Sequence, residues 1–264
     1  MKNQDLLKAF LDGFKNKISE VDNSRIESDK LRFDKFFSDW KYKDSELSND
    51  EKKNAVGYNV FSILKNAEKE VTTHSPFLAD LLNIRGAHKQ QELFYLEFLR
   101  QLNVPNEDYF IPKNKFCFYI TESKYIGPID KEYNQGGFID ILINYSDGEK
   151  EFAIAIENKI NAGDQRKQLI RYYNYLKKTF DKNFLLIYLT PYGDEPSTGT
   201  INPTENEVYS ITKEPLNQYK KNGELIIASY SKHIKNTLEK TIEQVKAENV
   251  RSIINQYLQI ILNF

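Results

Sequence analysis

The strongest constraint in this chain is a pair of isoleucine-rich runs, Phe138 to Asn144 and Glu151 to Asn158, separated by a segment containing Asp147-Gly148. Each run is short and rich in β-branched residues, which suits a strand entering a core. Each also carries acids that a core normally excludes: Asp140 in the first, Glu157 near the end of the second, with Lys159 two residues on. Asp-Gly tolerates the positive φ of a two-residue hairpin turn. A tip at that pair sets Asp140 across from Ala155, with Glu157 one same-face step beyond, so the β-carbons of the two acids lie roughly 5 to 8 Å apart. Alternation then puts both carboxylates and Lys159 on one side and Asn158 on the other. A slip of one residue would send one acid to the opposite face.

Carboxylates at that separation suit a hard divalent cation such as magnesium, which keeps several waters and is held by one or two carboxylates plus substrate phosphate. A bound cation polarises a phosphoryl oxygen and acidifies water, while a nearby ammonium steadies the growing charge. This is the outline of phosphodiester hydrolysis. An exposed salt bridge on an ordinary hairpin is the plain alternative for these residues taken alone.

The flanking segments supply context. "NAGDQRKQLIRYYNYLKKTF" predicts a helix from Asp164 to near Phe180, with Leu169, Tyr172, Tyr173 and Leu176 as its apolar stripe. Gln168 and Tyr172, four apart, share a side. "NFLLIYLTP" then predicts a strand buried on both faces and stopped by Pro191. Upstream, "AHKQQELFYLEFLRQLNV" predicts a helix from Ala87 to Val104 closed by Pro105, on which His88 and Glu92 share a face, and "KFCFYITES" predicts a strand. Ser75-Pro76 reads as a helix start.

In this order the residues resemble a known group. Gly137-Phe138-Ile139-Asp140 followed by Ile156-Glu157-Asn158-Lys159 resembles the D…ExK signature of the PD-(D/E)XK nuclease superfamily. The pattern E…HS..LA.LLN…H, then F..FL, xIDILI, IENKI and QL..Y, is similar to that of one bacterial family within it, apart from Lys89, where a glycine commonly stands. "SYSKHIKNTLEK" and the terminal "INQYLQIILNF" resemble that family's closing segment. The resemblance implies an α/β, restriction-endonuclease-like core (a helix, a three-stranded meander, a crossover helix and a fourth strand) whose mixed sheet is flanked by helices, with helical N- and C-terminal additions. The corresponding division is a helical extension over 1–57 and a nuclease-like domain over 58–264. It implies that Asp140 and Glu157 bind Mg²⁺ or Mn²⁺ with the Asn158 carbonyl, and that Lys159 orients the water. Gln168 and Tyr172 match a Q-x-x-x-Y motif of the RecB and lambda-exonuclease branch that faces the DNA. Glu92 or His88 would supply a first-motif ligand, with Glu70 and His74 as alternatives.

The function so implied is a metal-dependent nuclease acting on DNA, in defence or repair. Two other readings stay open: a nucleic-acid-binding or assembly module whose cleavage is absent or gated by a partner, and a nuclease directed at RNA. A homodimer or a protein partner is also left open.

Composition fits without deciding. The formal net charge is −1, yet between Lys159 and Lys182 seven basic residues (Lys159, Arg166, Lys167, Arg171, Lys177, Lys178 and Lys182) outnumber two acids, giving local positive charge for phosphates. No apolar run approaches the ~18 residues of a membrane helix, and the amphipathic, acid-containing amino terminus does not read as a secretory signal; no membrane association and a cytoplasmic setting are the expectations. One cysteine leaves no intrachain disulfide and no Cys-rich zinc site. Phosphate-loop, serine-elbow and H-E-x-x-H patterns are missing from the sequence. The stretch 191–207 reads as a loop. In the first ~55 residues, Phe33, Phe36, Phe37 and Trp40 recur at helical spacing, the pattern of a core or interface stripe.

Overall fold

The computed structural model describes residues 2–54, 58–104, 107–201, 220 and 223–264. The chain divides into two compact units, Met1–Tyr58 and Asn59–Phe264. The first unit is built on a single helix, α1 (Lys2–Asn54), along which Phe10, Phe14, Phe33, Phe36, Phe37 and Trp40 are exposed.

The second unit is an α/β structure around one five-stranded mixed sheet. Its strands β1 (Phe118–Tyr125), β2 (Phe138–Ser146), β3 (Glu151–Asn158), β4 (Phe184–Thr190) and β5 (Leu225–Ser229) lie in sequence order across the sheet. The first three form an antiparallel meander. Strand β4 returns parallel to β3 and β5 parallel to β4, so the chain must cross over the sheet before each. The crossover before β4 is α5 (Gln168–Phe180). Strand β4 is buried at every position, as its unbroken apolar sequence demands.

Two cores sit on the two faces. Ile141, Ile143, Ile154, Ile156, Leu185 and Ile187 pack with residues of helices α3 (Ser75–Leu82) and α4 (Leu93–Leu102) and of two closing helices, α7 (Lys235–Thr241) and α8 (Glu248–Ile261). On the opposite face Leu142, Ala153, Ala155, Leu186 and Tyr188 pack against α5 through Leu169, Tyr172, Tyr173 and Leu176. Short helices α2 (Val60–Ile63) and α6 (Thr198–Ile201) also belong to this unit. The expected loop over 191–207 contains α6, and its residues beyond Ile201 lie outside the described ones, as does Pro105.

Several boundaries differ from the sequence expectations for local reasons. Lys89 and Gln91 adopt left-handed backbone conformations, with φ of 57° and 56°, which a right-handed helix cannot pass through. The helix expected over 87–104 therefore begins only at Leu93, and it ends on Asn103 in the same left-handed region. Likewise Lys167, at φ 49°, delays α5 to Gln168. Asp164, read as its start, instead accepts hydrogen bonds from the Tyr188 hydroxyl (2.8 Å) and the Ser197 amide (2.7 Å). Ser75-Pro76 does open a helix, with the proline in the first turn.

The loop joining β1 to β2 is fastened to α5 by buried cations. Arg171, 0% exposed, donates to the Gly136 carbonyl (2.9 Å), to the Arg166 carbonyl and to Gln165 Oε1 (2.9 Å). Lys167 Nζ donates to the Glu132 carbonyl and Asn134 Oδ1, and Asn174 donates to the Asn134 carbonyl. Gly136 permits this: its φ is +87°, and a β-carbon there would lie 2.0 Å from the Pro128 carbonyl oxygen. Two of the bases expected to face phosphate, Lys167 and Arg171, are thus committed to the interior. Arg171→Met keeps the stem and removes the three bonds. It should cost about 3 kcal/mol in urea unfolding, because buried carbonyls lose charged donors, whereas Lys178→Met on the exposed side of α5 should stay within about 0.5 kcal/mol.

Candidate active site

The β2–β3 turn spans four residues, closed by the Asp147 amide donating to the Lys150 carbonyl, with Asp147 Oδ1 accepting from the Glu149 and Lys150 amides. Leu142 consequently pairs with Ala155 and Ile141 with Ile156. Relative to the two-residue tip read from Asp-Gly, the register is shifted by two positions. A shift of two preserves the face, and continuing the pairing by one residue brings Asp140 directly opposite Glu157.

At this sheet end four charged groups converge. Lys159 Nζ lies 2.6 Å from Glu157 Oε1, and Gln168 Nε2, from the first turn of α5, donates to the same oxygen at 2.6 Å. Gln168 also donates to the Tyr172 hydroxyl (3.1 Å), which in turn donates to the Phe138 carbonyl. Asp140 Oδ2 accepts from the Asn158 amide at 2.8 Å. The fourth group is Glu70, from the π-helical turn Glu70–His74 before α3; its Oε2 accepts from the Ile160 amide at 2.7 Å. Glu70, Asp140 and Glu157 each act electrostatically on Lys159.

Burial sets the electrostatics. Glu157 is 1% exposed, and desolvation together with the Asp140 charge holds its pKa well above the usual carboxylate range, against the pull of Lys159. Asp140 is raised as well, chiefly by burial, with the Asn158 amide opposing. Burial disfavours the Lys159 ammonium, but Glu157, Glu70 and Asp140 outweigh it and raise the pKa. Ionised, three carboxylates and one ammonium leave an excess of two negative charges, the charge of one divalent cation. Glu157 Oε2 is buried with no hydrogen-bond partner, an unsatisfied acceptor that native interiors rarely tolerate. Among the described residues no three His, Cys, Asp or Glu side chains already form a metal cage. The set fits a cation held by two carboxylates and completed by water and substrate, the habit of magnesium.

The other expected residues lie elsewhere in the network. His88 sits in the turn before α4, accepting from the Gln90 amide and bonded through Nε2 to the Asn83 carbonyl (2.9 Å), its ring edge-on to Phe94. With residues 89 and 91 left-handed, His88 and Glu92 do not share a helical face as expected. Glu92, at the N-cap of α4, is half-buried. His74 is fully buried, and burial lowers its pKa. Its Nε2 donates to the Ala67 carbonyl (2.9 Å) and its Nδ1 accepts from the Tyr257 hydroxyl (2.8 Å). Of the first-motif alternatives, the one coupled to Asp140 and Glu157 is Glu70.

Asn158 faces the other side of the sheet, where its side chain accepts from the Tyr230 hydroxyl (3.0 Å) and donates to Ser75 Oγ (3.0 Å). Tyr230, Ser75 and Asn158 are all buried. Sequence reasoning missed this partner, since Tyr230 lies 72 residues away and no local spacing signals it.

The raised carboxylates have a measurable consequence. A group whose folded pKa is raised adds stability that is complete below its unfolded value and is lost as pH climbs through the folded value. The metal-free protein should therefore lose stability from Glu157 as pH rises above about 4.5, and Glu157→Gln should flatten this part of the profile. The check is urea unfolding of both proteins from pH 4 to 8 in EDTA, read as a difference so that His74 and other groups not coupled to Glu157 cancel.

The comparisons bear on the same unit. A family model described as the PD-(D/E)XK nuclease superfamily matches residues 58–259. Comparisons with curated proteins and with solved structures give no match. No helix among the described residues is long and apolar enough to cross a membrane. With its mixed sheet, its crossover helix and the acids of β2 and β3 meeting at one sheet end, the chain belongs to the PD-(D/E)XK nuclease superfamily.

Proposed function

We propose that this nuclease-superfamily chain hydrolyses phosphodiester bonds in DNA with Mg²⁺ or Mn²⁺. The observation that carries this reading is the buried Glu157, with one oxygen unsatisfied, opposed to Asp140 and bound to Lys159. Asp140 and Glu157 would hold the metal, with the Asn158 carbonyl, and Glu70 takes the first-motif place in preference to Glu92 or His88. When bound, the cation would supply Lewis acidity to the phosphoryl oxygen and to water.

The chain's own groups have distinct tasks in this reading. Lys159 orients the attacking water and offers its N–H donors to charge developing on the phosphate. Gln168 keeps Glu157 in one rotamer, and Tyr172 fixes Gln168 from below. Arg166, stacked over the Tyr133 ring with its guanidinium carbon 4.8 Å from the centroid, and the exposed Lys178 and Lys182 remain to meet the backbone of a nucleic acid. Work in defence or repair, in the cytoplasm, accords with the superfamily by analogy.

The test is incubation of purified protein with single- and double-stranded DNA and RNA in Mg²⁺, Mn²⁺ or EDTA. Cleavage of DNA is expected with either metal and not in EDTA. Asp140→Ala and Lys159→Ala should each reduce the rate by about 10² to 10³ or more, and Glu70→Gln should weaken metal binding by about 10- to 100-fold. Binding of DNA in EDTA without cleavage under any metal would instead make the chain a binding or partner-gated module. Cleavage of RNA alone would redirect the substrate.

A further inference from the structure

We propose that α1 joins two copies of this chain in an antiparallel coiled coil centred between Asp34 and Lys35. The inference is independent of the nuclease reading. Ile26, Phe33 and Trp40 recur every seven residues along α1, with Phe36 and Phe37 between them, and each is more than half exposed. Seven-residue recurrence is the period of a helix seam. A solitary helix gains its stability from burying such a face. At 52–63% exposed, the four aromatic residues alone would bury roughly 350 to 600 Å² per copy, and Ile26 with the stems of the flanking side chains adds toward the roughly 800 Å² per copy of a specific interface.

Charge fixes both the partner and its direction. The positions just before the seam residues are Arg25, Arg32, Asp39 and Glu46, again seven apart and all exposed. In an antiparallel pair these flanking positions meet their own kind, so Arg32 faces Asp39 of the second copy and Arg25 faces Glu46. Two-fold symmetry repeats each pair. In the same register Phe33 packs against Phe36 of the other helix, Trp40 meets Asp29, and Ile26 meets the stem of Lys43. A parallel pair would set Arg25 against Lys30 and Arg32 against Phe37. A self-complementary row reading plus, plus, minus, minus is what a second, reversed copy of the same helix satisfies.

Analytical ultracentrifugation of the full chain tests this. Wild type is expected to dimerise. Asp39→Arg and Arg32→Asp should each weaken the dimer tenfold or more, and the double variant should restore it, because the swap rebuilds the same pairs in reversed sense. Spin labels at Lys17→Cys in a Cys117→Ser background should lie roughly 50 Å apart, from 1.5 Å per residue on either side of the centre; a parallel pair would hold them about 10 Å apart. A wild-type monomer at tens of micromolar, a dimer indifferent to both reversals, or close labels would each overturn the proposal.

Discussion

Burying a carboxylate at the end of a central strand is costly unless other groups answer for it, and Glu157 is such a carboxylate. Its neighbours account for much of the surrounding architecture. Lys159 follows it by two residues so that both point the same way from β3, and α5 begins at Gln168 so that an amide reaches the same oxygen. Asp140 comes opposite through a four-residue turn. Glu70 closes the set through a π-helical turn, a local widening that recurs at functional sites.

The residue between Glu157 and Lys159 ties that arrangement to the far side of the sheet. The Asn158 amide holds Asp140, while its side chain is held by Tyr230 and Ser75. Next to that contact lies His74, buried among Tyr230, Tyr257 and Phe264. One peptide unit therefore links an acidic cluster on one face to an aromatic, hydrogen-bonded core on the other. Few positions in a strand have such contrasting demands, since alternate side chains usually serve one face each.

Much of this was legible in the sequence because it is periodic. Isoleucine runs marked β2 and β3, an unbroken apolar run marked β4, and i, i+4 spacing put Gln168 and Tyr172 on one side of α5; that Gln168 reaches Glu157 is seen only in the structure. What was not legible depends on backbone conformations that single residues conceal. Lys89, Gln91 and Lys167 carry ordinary helix-forming side chains yet sit at positive φ, so periodicity predicts a helix over 87–104 longer than α4 and a start for α5 ahead of Gln168. The hairpin register was missed by two because the Asp147 side chain caps a longer turn, and only the even size of the error kept the acids together. The bases Lys167 and Arg171 read as surface charge, since composition does not reveal that carbonyls of a distant loop await them.

The contacts at the candidate site also bear on how the chain comes to acquire it. Glu70 closes on Ile160 across 90 residues, and Asn158 waits for Tyr230 another 72 residues on. Contacts so far apart in sequence are assembled late, because the loops they close must be ordered first. A chain emerging from the ribosome would carry Glu70, Asp140 and Glu157 well before Tyr230 is made. The arrangement thus ties assembly of the candidate site to completion of the whole domain, and a fragment or half-folded intermediate would hold these residues apart.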